Sequence, residues 1–224
     1  MKEYIKKRVV NFNDRTFLIM LLVSFGMVIV ANVINYYAGT YATEKASNAV
    51  TDLILNNIRV YDVDFMFVYG TLAFWGFCIL VFLHRMERLP FVLKTLSLFI
   101  VIRSIFITLT HLGPFADQIS WSNSILDKWS FGGDLFFSGH TGIPFLLALV
   151  FWDIKSLRYI FIGSSLFFGT IVLMGHLHYS IDVMSAFFIT YTIYHLAEMF
   201  FKKDLEFFQK KRVALPEVME QKVL

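Results

Sequence analysis

Six long apolar stretches, at about residues 16–38, 63–84, 91–112, 136–152, 156–175 and 180–201, constrain this chain more than any other feature. Crossing a bilayer takes roughly 20 mostly apolar residues, each adding about 1.5 Å. In hydrocarbon every backbone N–H and C=O must be paired internally, which leaves helices or a closed barrel. The stretches do not alternate polar and apolar residues as barrel strands do. They predict an all-α fold, a six-transmembrane-helix bundle. Composition agrees: 57% of the residues are hydrophobic, including 26 Phe and 10 Tyr. A soluble domain of 224 residues has no interior for that much apolar surface.

The chain divides into an N-terminal arm (1–15), a membrane catalytic domain (16–201) and a basic tail (202–224). Lys6, Lys7 and Arg8 precede an apolar run, as in a signal peptide, but the run to Tyr37 is too long for one. It reads as a retained transmembrane helix. Basic residues gather in the arm (Lys2, Lys6, Lys7, Arg8, Arg15), around Leu89 (Arg85, Arg88, Lys94), near Lys155 and Arg158, and in the tail. The opposite side has Lys45, Arg59 and Lys128. By the positive-inside rule both termini are cytoplasmic, and loops 39–62, 113–135 and 176–179 face away from the cytoplasm. The basic tail is then an orientation signal, and no nucleic-acid partner is expected. Between Glu44 and Ile58 the apolar residues fall near one helical face, so this stretch is either a surface amphipathic helix or an ordered loop. Cys78 is the only cysteine, which excludes internal disulfides and cysteine metal clusters.

Two polar clusters interrupt the apolar pattern. The first runs from Gly132 and Gly133 through Asp134 to Ser138, Gly139, His140 and Thr141, where the fourth span begins. Ser138 suits a helix N-cap, and Gly139 permits close backbone approach. A helix start presents unpaired N–H groups and a positive dipole end, a cradle for phosphate. The second cluster reads His176, Leu177, His178, Tyr179, Ser180, Ile181, Asp182, Val183 and opens the sixth span. His178 and Asp182 are four apart and share a helical face. A carboxylate there fixes one imidazole nitrogen and leaves the other free as nucleophile or base. The predicted topology brings both clusters to the non-cytoplasmic face.

Arg103 lies near the middle of the third span, where a charge needs a partner or a wet cavity. Asp134, Asp182 or a substrate phosphate could be that partner, and a guanidinium fork suits phosphate oxygens. His84, His111 and His195 read as solvated or capping residues. His176, His178 and Asp182 have spacing that can ligate zinc, but no strong metal motif accompanies them and the chemistry needs none. No metal and no cofactor is expected.

The two clusters resemble those of the type-2 phosphatidic acid phosphatase superfamily, and more narrowly those of the sphingomyelin synthases. That family carries Cys-Gly-Asp, three residues, then Ser-Gly-His-Thr. Here Gly133 and Asp134 are followed by Ser138, Gly139, His140 and Thr141, with Gly132 in place of the cysteine. The second family motif is His-Tyr-Thr-x-Asp-Val, matched by His178 to Val183 with Ser180 for threonine. Arg103 and Thr110 match the family's arginine and the threonine seven positions later. The phosphatases' Arg-Pro is absent, Phe137 stands where they have proline, and Val172 where they have arginine. Phe187 stands where the synthases usually have tyrosine.

The resemblance implies an enzyme of the cell membrane that moves a phospho-alcohol headgroup from a phospholipid donor to a lipid-alcohol acceptor such as ceramide. It implies His178 as nucleophile, Asp182 as its orienting carboxylate and His140 as general acid and base. Arg103, Ser138, Gly139 and Tyr179 would bind substrate, and Asp134 would hold the headgroup amine or position His140. A hydrolase using the same residues is the nearest alternative. A non-enzymatic lipid-binding protein is the next, and a transporter is weaker, because clear inverted repeats are absent. Oligomeric state is not legible.

Overall fold

A computed structural model describes residues 14–115 and 135–209. Among these, six α-helices follow the six apolar stretches: α1 Arg15–Glu44, α2 Asp64–His84, α3 Leu89–Leu109, α4 Gly139–Val150, α5 Lys155–Met174 and α6 Ser180–Phe200. Residues 202–209 form a further helical segment. Short 3-10 turns lie at Leu55–Asn57 and Met86–Arg88. Asp14 caps α1, its carboxylate accepting from the Thr16 and Phe17 N–H groups. Pro90 stands in the first turn of α3, where a missing N–H costs nothing.

Among the described residues, four helices are long and apolar enough to cross a membrane: α1, α2, α3 with the turn before it, and α5. The fourth, α4, is apolar but has only 12 residues, about 18 Å of helix. The sixth has 21 residues but, with Ser180, Asp182, His195 and Glu198 along it, is not among those four. Length and apolarity therefore mark four spans where the sequence predicts six. Leu22, Leu72, Leu80, Phe65 and Phe188 are among many large apolar side chains on the outside of the bundle. Such a surface is incompatible with water and suited to lipid.

Contacts sort the helix ends into two groups. At one end the Ser47 N–H donates to the His111 carbonyl, Tyr61 N–H to Met174 and Ser138 N–H to Asp182. At the other end Arg88 makes a two-pronged ion pair with Asp153, at 2.7 and 2.6 Å. Lys94 reaches both oxygens of Asp204 at 2.7 Å, and Phe17 stacks on Phe207. Successive helices thus alternate in direction, and the start of α1 lies beside the helical segment 202–209. The interior between them is largely aromatic: Phe74, Phe91, Phe99, Phe137, Phe151, Phe161 and Phe168 are all buried.

Small residues let α4 sit deep in this core. A Cβ on Gly142 would stand 2.7 Å from the Phe99 ring and 2.9 Å from Thr190 Oγ1. On Gly169 of α5 it would meet Val183 at 3.2 Å. Both glycines bring α4, α5 and α6 close enough for their site-bearing ends to touch.

The segment between α1 and α2 is not an amphipathic helix. Apart from the turn at Leu55–Asn57 it is irregular, and Leu53 is 84% exposed while Leu55 is buried. Asp52 and Asn56 explain this: each offers a side-chain oxygen to nearby backbone N–H groups and so competes with helix formation.

Candidate active site

The turn after α5 sets the second cluster. Leu177 and His178 N–H groups both donate to the Val172 carbonyl, which folds residues 175–178 back over the helix end. His176 takes a left-handed backbone conformation, φ 53°, rare outside glycine. Its ring is buried edge-on against Phe115, and neither nitrogen has a hydrogen-bond partner among the described residues. The chain then enters α6 with Tyr179 as N-cap residue.

Asp182, in the first turn of α6, is completely buried. Its Oδ2 accepts from the Tyr179 N–H at 2.9 Å and lies 3.4 Å from Nδ1 of the buried His178. One oxygen thus caps the helix and addresses the imidazole. The other, Oδ1, is buried without a partner among the described residues. With Nδ1 turned to the carboxylate, Nε2 of His178 is the nitrogen left for chemistry.

The first cluster arrives against this one. Ser138 caps α4, its Oγ accepting from the Thr141 N–H at 3.4 Å, and its own N–H donates to the Asp182 carbonyl at 3.1 Å. The Thr141 carbonyl accepts from Ser165 Oγ of α5 at 2.7 Å, which fixes the first turn of α4. His140 is half-buried in that turn, its ring 4.5 Å from the Phe67 ring of α2 and 6.2 Å from that of Phe168. His178 and Arg103 are both near enough to act on it electrostatically.

Arg103 is buried on α3, about 9 Å short of its C-terminal end. Its Nε donates to the Phe137 carbonyl at 2.7 Å. A Cβ on Gly139 would stand 3.5 Å from that same Nε, so the guanidinium lies directly beside the start of α4. Sequence spacing alone put Arg103 at mid-span; the fold puts it under the first cluster.

Ser138 and Tyr179, expected to bind substrate, are engaged otherwise. Ser138 is fully buried with its hydroxyl in the helix cap. Tyr179 is 2% exposed; its hydroxyl donates to the Gly113 carbonyl at 2.8 Å and accepts from the Val50 N–H at 3.2 Å. Asp134 lies outside the described residues. His195 pairs with Glu198 on the exposed face of α6, away from the site.

Residues 132–199 match the family model PAP2 superfamily C-terminal. The matched stretch holds both clusters and ends just short of the end of α6. It supports a place in the type-2 phosphatidic acid phosphatase superfamily and an enzyme of phosphate-ester chemistry. No curated protein and no solved structure matches the chain. The matched stretch does not include Arg103 or Asp52, which come from elements earlier in the chain.

Asp52 was not legible as a site residue. Its carboxylate accepts from the N–H and Oγ of Ser180 and from the N–H groups of Ile54 and Leu55. Burial pushes its pKa up, but the hydrogen bonds from Leu55, Ser180 and Ile54 outweigh this and hold it below the usual value. The pattern Asp52, Leu55, Asn56 signals a local turn; nothing in it signals the contact with Ser180.

Proposed function

We propose that the chain is an integral membrane phosphotransferase acting on phospholipid headgroups, as its resemblance to the sphingomyelin synthases implies. His178 Nε2 attacks phosphorus, the bond from phosphorus to the glycerol oxygen breaks, and His140 gives the departing diacylglycerol its proton. Asp182 holds Nδ1–H and stabilises the imidazolium. The headgroup phosphate is then held on His178. A lipid alcohol attacks it, His140 takes the alcohol's proton, and the phosphorus–nitrogen bond breaks. Arg103 and the N–H groups at the start of α4 face the phosphate oxygens, where negative charge builds up. Asp134 meets the headgroup amine or steadies His140.

The observation that carries this reading is the hydrogen bond from Ser138 N–H to the Asp182 carbonyl, which locks two chemistry-bearing helix starts together. The proposed topology has six crossings, both termini cytoplasmic, and the site on the outer side of the cell membrane. In its support, Arg85, Arg88, Lys94, Lys155, Arg158, Lys202 and Lys203 lie at or near the helix ends opposite the site.

A hydrolase with the same three groups differs only in letting water take the acceptor's place. Aromatic walls such as Phe67 and Phe168 beside His140 favour exclusion of water, and so transfer. Purified protein incubated with phosphatidylcholine or phosphatidylethanolamine, with and without ceramide, distinguishes the two. Transfer gives a new ceramide-dependent phospholipid by mass spectrometry. Free phospho-alcohol or inorganic phosphate means hydrolysis, and no product in any mixture refutes both.

A further inference from the structure

At the start of the helix that carries Asp182, the Tyr179 hydroxyl turns away to Gly113 and Val50, and Asp182 Oδ2 serves the Tyr179 N–H. The acceptor for the next N–H, that of Ser180, comes from the segment between α1 and α2. Asp52 Oδ2 accepts from the Ser180 N–H at 2.7 Å and from Ser180 Oγ at 2.8 Å. Its Oδ1 accepts from Ile54 N–H at 2.8 Å and Leu55 N–H at 3.0 Å. Four donors thus fill a carboxylate that is 8% exposed. One residue earlier, the Tyr179 hydroxyl is gripped by Val50 and Gly113. Two consecutive residues in the short stretch between His178 and Asp182 are therefore held from outside.

The contact this grip governs has little slack. His178 Nδ1 and Asp182 Oδ2 stand 3.4 Å apart, near the outer limit of a hydrogen bond. A small tilt at the start of α6 breaks it. Resting on the proposed roles of His178 and Asp182, we infer that Asp52 is a positioning residue: through Ser180 it sets the geometry of the His178–Asp182 pair without touching substrate.

Two variants test this. Asp52→Asn replaces an acceptor with an amide donor facing Ser180 or the Ile54 and Leu55 N–H groups. Ser180→Pro removes both donors to Asp52, yet proline suits the first helical position and Tyr179 already has the extended backbone proline requires, φ −69° and ψ 157°. Each is compared with wild type and His178→Ala on whichever of phosphatidylcholine, phosphatidylethanolamine or phosphatidic acid the wild type turns over. The expected result is a fall in kcat on the order of 10²-fold with KM nearly unchanged, a thermal midpoint close to wild type, and recovery of most of the rate in Asp52→Glu. Wild-type kcat in either folded variant overturns the positioning role, and so does failure of both to fold, which makes Asp52 a structural anchor. Should His178→Ala match wild type, the reading of the site itself fails instead.

Discussion

Ser138 and Asp182, 44 positions apart in sequence, are joined by a backbone hydrogen bond of 3.1 Å. The bond ties the cap of α4 to the first turn of α6 and leaves each helix start facing the same space. His140 is fixed from one side of that bond and His178 from the other. The site is thus a property of two helix ends held in register.

Asp182→Asn tests the double duty of Oδ2. An amide oxygen can still accept from the Tyr179 N–H and His178 Nδ1–H, but it carries no charge, and the NH2 beside it buries two donors that select the wrong His178 tautomer if they face Nδ1. The rate should fall by about 10³–10⁴-fold, with the melting temperature in detergent little changed. A loss below tenfold contradicts the orienting role.

Arg103→Lys keeps the charge but loses the Nε–H that Phe137 accepts and the fork beside Gly139. A bond from a charged donor contributes about 1.5–3 kcal/mol, so kcat/KM should drop roughly 10- to 100-fold. Steady-state kinetics on the phospholipid donor checks this, and a wild-type value removes Arg103 from phosphate binding.

His140→Ala should lower kcat by about 10²–10⁴-fold, the range for loss of a general acid. The deficit should shrink for a donor whose leaving group needs no proton, such as a p-nitrophenyl phosphodiester. An equal deficit with both donors contradicts proton donation by His140.

Lys94 and Asp204 lie at the opposite end of the bundle, their side chains 11% and 5% exposed. Removing one partner strands a buried charge. Asp204→Asn should destabilise by about 3–5 kcal/mol, while Lys94→Met with Asp204→Leu should recover most of it. Unfolding in detergent measures both, and a double variant no better than the single contradicts the assignment.

Helix positions were legible because the apolar stretches are long and interrupted by polar clusters. Observed boundaries such as Asp64–His84 and Ser180–Phe200 fall within a residue of the predicted stretches. Span number was less legible: α4 ends at Val150 after 12 residues, and Thr, Ser and His dilute the apolarity of α6. His178 with Asp182 was readable because four residues on a helix fix a shared face. Arg103 beside Gly139 was partly readable, as a buried charge needing a partner. Asp52 was not, because its partner lies 128 positions away and only the folded loop brings them together.

In the proposed reaction His178 carries the headgroup phosphate between donor and acceptor. Protein mixed with donor phospholipid, without acceptor, and quenched at alkaline pH should yield a peptide containing His178 with the phospho-alcohol mass added. Addition of ceramide before the quench should discharge it. A donor consumed at full rate with His178 unmodified at every time point, or turnover retained in His178→Ala, contradicts the account.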